Sequence, residues 1–221
     1  MKINLKYICV TALLLGISSE TGAHTINYDL SELSGTTIGW LYFKLGFAHI
    51  LPLGLDHILF VLGLFFLNPN LKYVIAQATV FTVAHSITLG LTFLGYIQPP
   101  SSIIEPIIAL SILFIAMENL ITTELKWWRL LIVFVFGLIH GCGFASALAE
   151  TGLAENHFLM TLLSFNLGVE AGQITVILVA WLLVGKWFSE KPWYRKRIVI
   201  PVSCLIGCMA LYWTIERTLN L

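Results

Sequence analysis

Six apolar segments, near 48–67, 73–96, 101–121, 129–149, 158–185 and 198–216, occupy most of this 221-residue chain. About 20 apolar residues in helical form cross the hydrocarbon core of a bilayer, so each segment is a candidate span. The loops between them carry turn chemistry at Asn68-Pro69-Asn70, Gln98-Pro99-Pro100 and Lys191-Pro192. Composition agrees: 58% of residues are hydrophobic and only 11% charged. A soluble globule carries about 25% charge, and this chain could not cover its own surface with polar groups. Its twelve Lys/Arg against twelve Asp/Glu give no field for a nucleic-acid partner. The expected fold is all-α: a polytopic bundle of six transmembrane helices whose main partner is the lipid bilayer.

The N-terminus reads as a secretory leader. Lys2 and Lys6 precede an apolar stretch from Tyr7 to Ile17, and Thr21-Gly22-Ala23 offers small residues for cleavage before His24. That stretch is too short to span about 30 Å of hydrocarbon. The alternative is an uncleaved first helix. The expected organisation is a signal peptide over 1–23, a short periplasmic segment over 24–39 and the transmembrane domain over 40–221. Cys142, Cys204 and Cys208 remain after cleavage, and an odd number inside apolar segments argues against a disulfide framework. Cys204 and Cys208 share a helix face, a spacing open to a soft-metal pair, and the expectation favours small buried core residues.

Basic residues orient the bundle. With the mature N-terminus outside, the inner loops hold Lys72, Lys126, Arg129, Lys186, Lys191, Arg195, Lys196 and Arg197, while Lys44 and Arg217 stay outside. Trp127, Trp128, Trp187, Trp193 and Tyr194 fall at the inner boundary, where amphipathic rings prefer to sit. Six spans then place both termini in the periplasm.

Ionisable side chains at membrane depth cost at least about 2.5 kcal/mol, so they point to function. The first segment carries His49, Pro52, Gly54, Asp56 and His57; the second carries His85, the fourth His140, and the fifth Asn166, Glu170 and Gln173 on one helical face. His57, His85, His140 and Glu170 each lie roughly nine to thirteen residues from a boundary, or about 14–20 Å deep. Polar groups at one level should face one another. Three imidazoles with carboxylates suit Ni²⁺, Co²⁺ or Zn²⁺ better than Ca²⁺ or Cu⁺. Pro52 and Gly54 should break the first helix, and irregular backbone at depth lines cavities. A lone His85 is also explained as an interhelical hydrogen bonder, and Asn166 and Gln173 as glue between helices. Gly168-x-x-x-Gly172 and the small residues from Gly141 to Ala147 are expected to let helices pack closely. Glu105, Glu118 and His157 lie near interfaces where water can solvate them. A G-x-x-H pattern recurs at Gly46–His49 and Gly137–His140, one in each three-helix half, as an inverted repeat would place it.

At these residues the chain resembles the HupE/UreJ family of bacterial membrane proteins. The matching blocks are HILPLGLDHILF from His49, FTVAHSITL from Phe81, FGLIHGCGFASALA from Phe136 and FNLGVEAGQ from Phe165. The resemblance implies a signal-bearing, six-helix inner-membrane protein that carries nickel or cobalt. Two positions depart from the nickel-permease form. Ile50 rather than Pro follows His49, with six residues before Asp56, and Phe144 stands where that form has a second His.

The expected function is therefore an inner-membrane permease for a divalent transition-metal cation, Ni²⁺ or Co²⁺, and not an enzyme. Its expected ligands are His49, Asp56 and His57, completed by His85, His140 and Glu170. No resident cofactor is expected, the cation being cargo, and self-association in the bilayer is compatible with the chain. The alternatives are an intramembrane metal-dependent hydrolase, which would lack an H-E-x-x-H helix, and a non-transporting accessory of metalloenzyme maturation. The topology is testable with a reporter fused after Leu221. It should be active as a periplasmic enzyme; a cytoplasmic signal would mean an odd number of spans.

Overall fold

A computed structural model describes residues 34–150 and 158–219, with the side chains of 145–150 excepted. The expected leader, His157 and most of the 24–39 segment lie outside the described residues. Helices stand at every expected segment: α1 (Gly35–Ile50), α2 (Leu55–Leu67), α3 (Leu71–Phe93), α4 (Ser101–Ile121), α5 (Arg129–Glu150), α6 (Phe158–Phe188) and α7 (Arg195–Leu219). Among the described residues there is no strand. The protein is an all-α polytopic membrane protein. Four of these helices, α3, α4, α6 and α7, are long and apolar enough to cross a membrane. Taken together, α1 and α2 make a fifth, and α5 is a 22-residue helix whose described apolar portion is Arg129–Phe144.

The first expected segment is where the reading changes most. Its helix starts upstream, at Gly35, where the Ser34 hydroxyl accepts from the Thr37 amide at 3.4 Å. Lys44, expected in a flanking loop, therefore sits on the exposed side of α1. The helix stops at Ile50, and α2 restarts at Leu55 with its axis turned by 68°. Pro52 has no amide to continue the ladder. The chain nevertheless keeps its bonds across the break: Leu51 N–H donates to the Phe47 carbonyl at 2.8 Å, Leu53 to Ala48 at 3.2 Å and Gly54 to Ile50 at 3.2 Å. Gly54 is required there, because a Cβ at that position would strike the His49 carbonyl.

Close helix pairs surround this broken segment. Backbones touch where glycines stand: a Cβ on Gly46 would collide with the Phe165 carbonyl, and one on Gly168 with the Phe43 carbonyl, so α1 lies directly on α6. Likewise Gly137 and Gly141 let α5 lie against Phe81 and His85 of α3. Small residues gain dispersion contacts where lipid offers no hydrophobic drive for association. The glycine runs thus behave as expected. Cys204 and Cys208 do not: both are exposed on α7 rather than packed in the core.

One end of the bundle is basic, with Lys72, Lys126, Arg129, Lys186 and Arg195–Arg197 at helix ends that lie together there. At this end α2 is fastened. Asn119 Nδ2 donates to the Gly63 carbonyl at 2.8 Å, Arg129 Nη2 to the same oxygen at 3.4 Å, and the Tyr194 hydroxyl to the Phe66 carbonyl at 3.4 Å. The Phe66 carbonyl is one that the last turn of a helix leaves unpaired, and the Gly63 carbonyl takes the two side-chain donors in addition to its place in the helix. Arg129 also pairs with Glu118 at 3.0 Å, both almost wholly buried. Glu118, expected in solvent at an interface, is thus an interior charge held by an interior arginine. Removing one partner of such a pair leaves the other uncompensated, at a cost of about 3–5 kcal/mol. Arg129→Met should therefore lower the thermal midpoint of the purified protein sharply, and adding Glu118→Gln should recover most of that loss. Equal midpoints for the single and double variants would mean the pair carries no such load.

Candidate metal centre

The break between α1 and α2 sets the site. It ends α1 just after His49 and starts α2 just before Asp56 and His57, so two imidazoles far along one straight helix instead meet, with ring centroids 4.7 Å apart. From α3, His85 approaches to 6.3 Å of His49 and 6.1 Å of His57, centroid to centroid. One donor nitrogen of each of His49, His57 and His85 lies within 4.8 Å of the other two.

Hydrogen bonds behind two of the rings fix their lone pairs. His57 Nδ1 lies 3.1 Å from Asp56 Oδ1 and His85 Nδ1 lies 3.3 Å from Asn166 Oδ1. An imidazole that donates from Nδ1 presents a lone pair at Nε2. The Nε2 atoms of His49, His57 and His85 are all buried and without hydrogen-bond partners. The three imidazoles, His57 and His85 buried and His49 partly so, lie close enough together that they could hold a metal ion. Aromatic rings wall the cluster in: Phe144 is 3.9 Å and Phe165 5.8 Å from His49, and Phe81 is 5.8 Å from His57.

The remaining expected ligands are placed differently. Asp56 stands behind His57, its Oδ1 bound to that ring and to the His57 amide at 2.9 Å. It acts on the cluster through His57, as carboxylates behind ligating histidines commonly do. His140 is 5.1 Å from the His57 ring. Its Nε2 meets Ser111 Oγ at 2.9 Å, and that hydroxyl already donates to the Ile108 carbonyl at 2.7 Å. Ser111 must therefore accept from His140 Nε2–H, which leaves the lone pair on His140 Nδ1, buried and unpartnered. His140 is thus a fourth imidazole beside the cluster, outside the three-nitrogen group. Glu170 is also outside it, accepting from the Thr79 hydroxyl while its second oxygen is buried without a partner.

Two functional contacts escaped sequence reasoning. Asn166 is the partner that orients His85, a role beyond helix glue. Ser111 is an ordinary small residue on an apolar helix, and nothing in the sequence ties it to His140.

A family model described as HupE / UreJ protein matches residues 27–217. The chain belongs to the HupE / UreJ family. No curated protein and no solved structure matches it. Within this family assignment, the Phe144 departure gains a location: the ring occupying that position lies against His49, at the edge of the cluster.

Asp56 and His57 act as one unit, and their variants should show it. By Co²⁺ titration of purified protein, Asp56→Asn should weaken binding by about 10–100-fold. Asp56→Asn combined with His57→Ala should cost little more than His57→Ala alone. Fully additive losses would separate the carboxylate from the ring it touches.

Proposed function

We propose that this protein is an inner-membrane permease that moves a divalent transition-metal cation, Ni²⁺ or Co²⁺, towards the cytoplasm through the His49–His57–His85 cluster. The observation that carries this reading is the set of three buried imidazole nitrogens with no partner of their own, in a chain of the HupE / UreJ family. Neutral imidazoles are borderline donors that favour Ni²⁺, Co²⁺ and Zn²⁺ over Mg²⁺ or Ca²⁺. Asp56 supplies negative charge one bond network away, and Glu170 a second carboxylate on α6. A cation that sheds its water on entering a low-dielectric bundle needs both the donors and the nearby charge. Among the described residues no carboxylate joins the three-nitrogen group.

Flux into vesicles containing the purified protein tests the reading. Ni²⁺ or Co²⁺ should enter, Mg²⁺ and Ca²⁺ should not, and His57→Ala should abolish entry. Binding should weaken on acidification, because an imidazolium has no lone pair for a metal. Tight binding with no flux of any cation would sink the permease and leave an accessory role in metal handling.

A further inference from the structure

We propose that the cation site opens and closes by movement of two rigid helix pairs, α1–α6 and α3–α5, against each other along the α3–α6 seam. The inference rests on the permease reading for its flux readout, and on geometry for the rest.

Each pair is a unit, and the two are built alike. In the first, Gly39 faces Met160 and Ser164, Gly46 faces Phe165, and Gly172 faces Ile50, so the helices run parallel. In the second, Gly137 faces Phe81 and Gly141 faces His85 and Thr88, again in parallel. Both contacts are backbone against backbone, with a glycine three residues before a histidine of the site. The shared pattern is longer than four residues: Phe43-x-x-Gly46-x-x-His49 on α1 and Phe134-x-x-Gly137-x-x-His140 on α5. Between the pairs, α3 and α6 run antiparallel, with Phe93 on Phe158, His85 on Asn166 and Thr79 on Glu170. The pairs are thus related by an approximate two-fold axis in the membrane plane. Under it α1 corresponds to α5 and α6 to α3. The remaining long pair maps onto itself, as its antiparallel contacts allow: Gly207 near Ala116 at one level, and Arg217 Nη1 on the Glu105 carbonyl at the end.

The seam differs in kind from the contacts inside each pair. It is made by side chains: the His85–Asn166 bond at 3.3 Å, Thr82 to Gln173 Oε1 at 3.3 Å, Thr79 to Glu170, and the Phe93–Phe158 stack at 5.2 Å. Two of its polar atoms are buried without partners, namely Gln173 Nε2 and Glu170 Oε2. A half-satisfied polar interface in hydrocarbon is costly in any fixed arrangement, so these groups are placed to find other partners in a second one. Donors on one ion at 2.0–2.1 Å stand about 3.4 Å apart in a tetrahedron. The nitrogens here lie within 4.8 Å of one another. His49 belongs to the first pair and His85 to the second, so loading draws the pairs together, and parting them dismantles the site. His57 lies between on α2, joined to the first pair across the break and to the second through Asn68–Asn70.

Cross-linking the protein in vesicles tests this, with Cys9, Cys142, Cys204 and Cys208 replaced by Ala. Phe93→Cys with Phe158→Cys bridges the pairs; Gly39→Cys with Ser164→Cys stays within one. A short bifunctional thiosulfonate on the bridging couple should cut Co²⁺ flux at least about tenfold, reversibly on reduction, while Co²⁺ binding stays within about twofold. The within-pair couple should leave flux unchanged. Undiminished flux in the bridged protein, or equal block by the within-pair couple, overturns the proposal. Spin labels at the same positions supply a readout independent of transport. The label distance across the seam should change on adding Zn²⁺ and the distance within a pair should not. If no variant carries Co²⁺, the permease reading falls, and an unchanging distance across the seam overturns the moving pairs on its own.

Discussion

Everything at the centre of this molecule depends on one interruption in a helix where no water can repair it. Hydrocarbon forces every backbone amide and carbonyl to find a partner within the protein. The break at Leu51–Gly54 meets that demand with three bonds back onto the end of α1. It also meets it with space, since Gly54 lets the His49 carbonyl lie against its backbone. A continuous helix would hold His49 and His57 about 12 Å apart along its axis. Folded at 68°, the same stretch brings their rings to 4.7 Å.

Much of this was legible in the sequence, and the reasons are physical. Apolar length and turn residues located the helices, because bilayer thickness fixes one and chain reversal the other. Depth counting brought His57, His85 and His140 to one level, since helical rise converts residue number into distance. Pro52 and Gly54 announced the break. What depth cannot give is azimuth and hydrogen-bond order. Glu170 shares the level of the histidines but spends one oxygen on Thr79. Asp56 adjoins His57 and spends its Oδ1 behind that ring. Glu118 sits near a helix end, where solvation is the ordinary expectation, and its partner Arg129 comes from the start of another helix. No spacing rule links those two positions.

The basic end and the site are coupled through α2. This helix is only 13 residues long, about 20 Å, and carries His57 in its first turn. Its last turns are held by Asn119, Arg129 and Tyr194 from three other elements. Between the two ends lies an apolar layer that includes Phe60, Leu64, Phe81, Ile112, Ile115 and Val133, all buried. A cation at the histidines is therefore separated from the basic end by apolar packing and then by a buried ion pair. Passage that way requires both to rearrange.

The placement of Asp56 follows from the electrostatics of the break. A helix beginning at depth presents its positive end to whatever lies ahead of it, a penalty for a nearby cation of about 0.3–1 kcal/mol and more when buried. Here the start of α2 and the end of α1 meet at one point, so dipole ends of opposite sign face the site together. Asp56 adds a full negative charge in the first turn of α2, accepting from the His57 amide and so meeting one of the unpaired N–H groups there. The same oxygen turns the His57 ring so that Nε2 carries the lone pair. One carboxylate thus offsets the helix end, orients the His57 ring and places negative charge beside the three imidazoles. A direct carboxylate ligand would add a hard oxygen to the donor set. On the permease reading, holding the charge one bond network back leaves the donors imidazole, the borderline type that suits Ni²⁺ and Co²⁺.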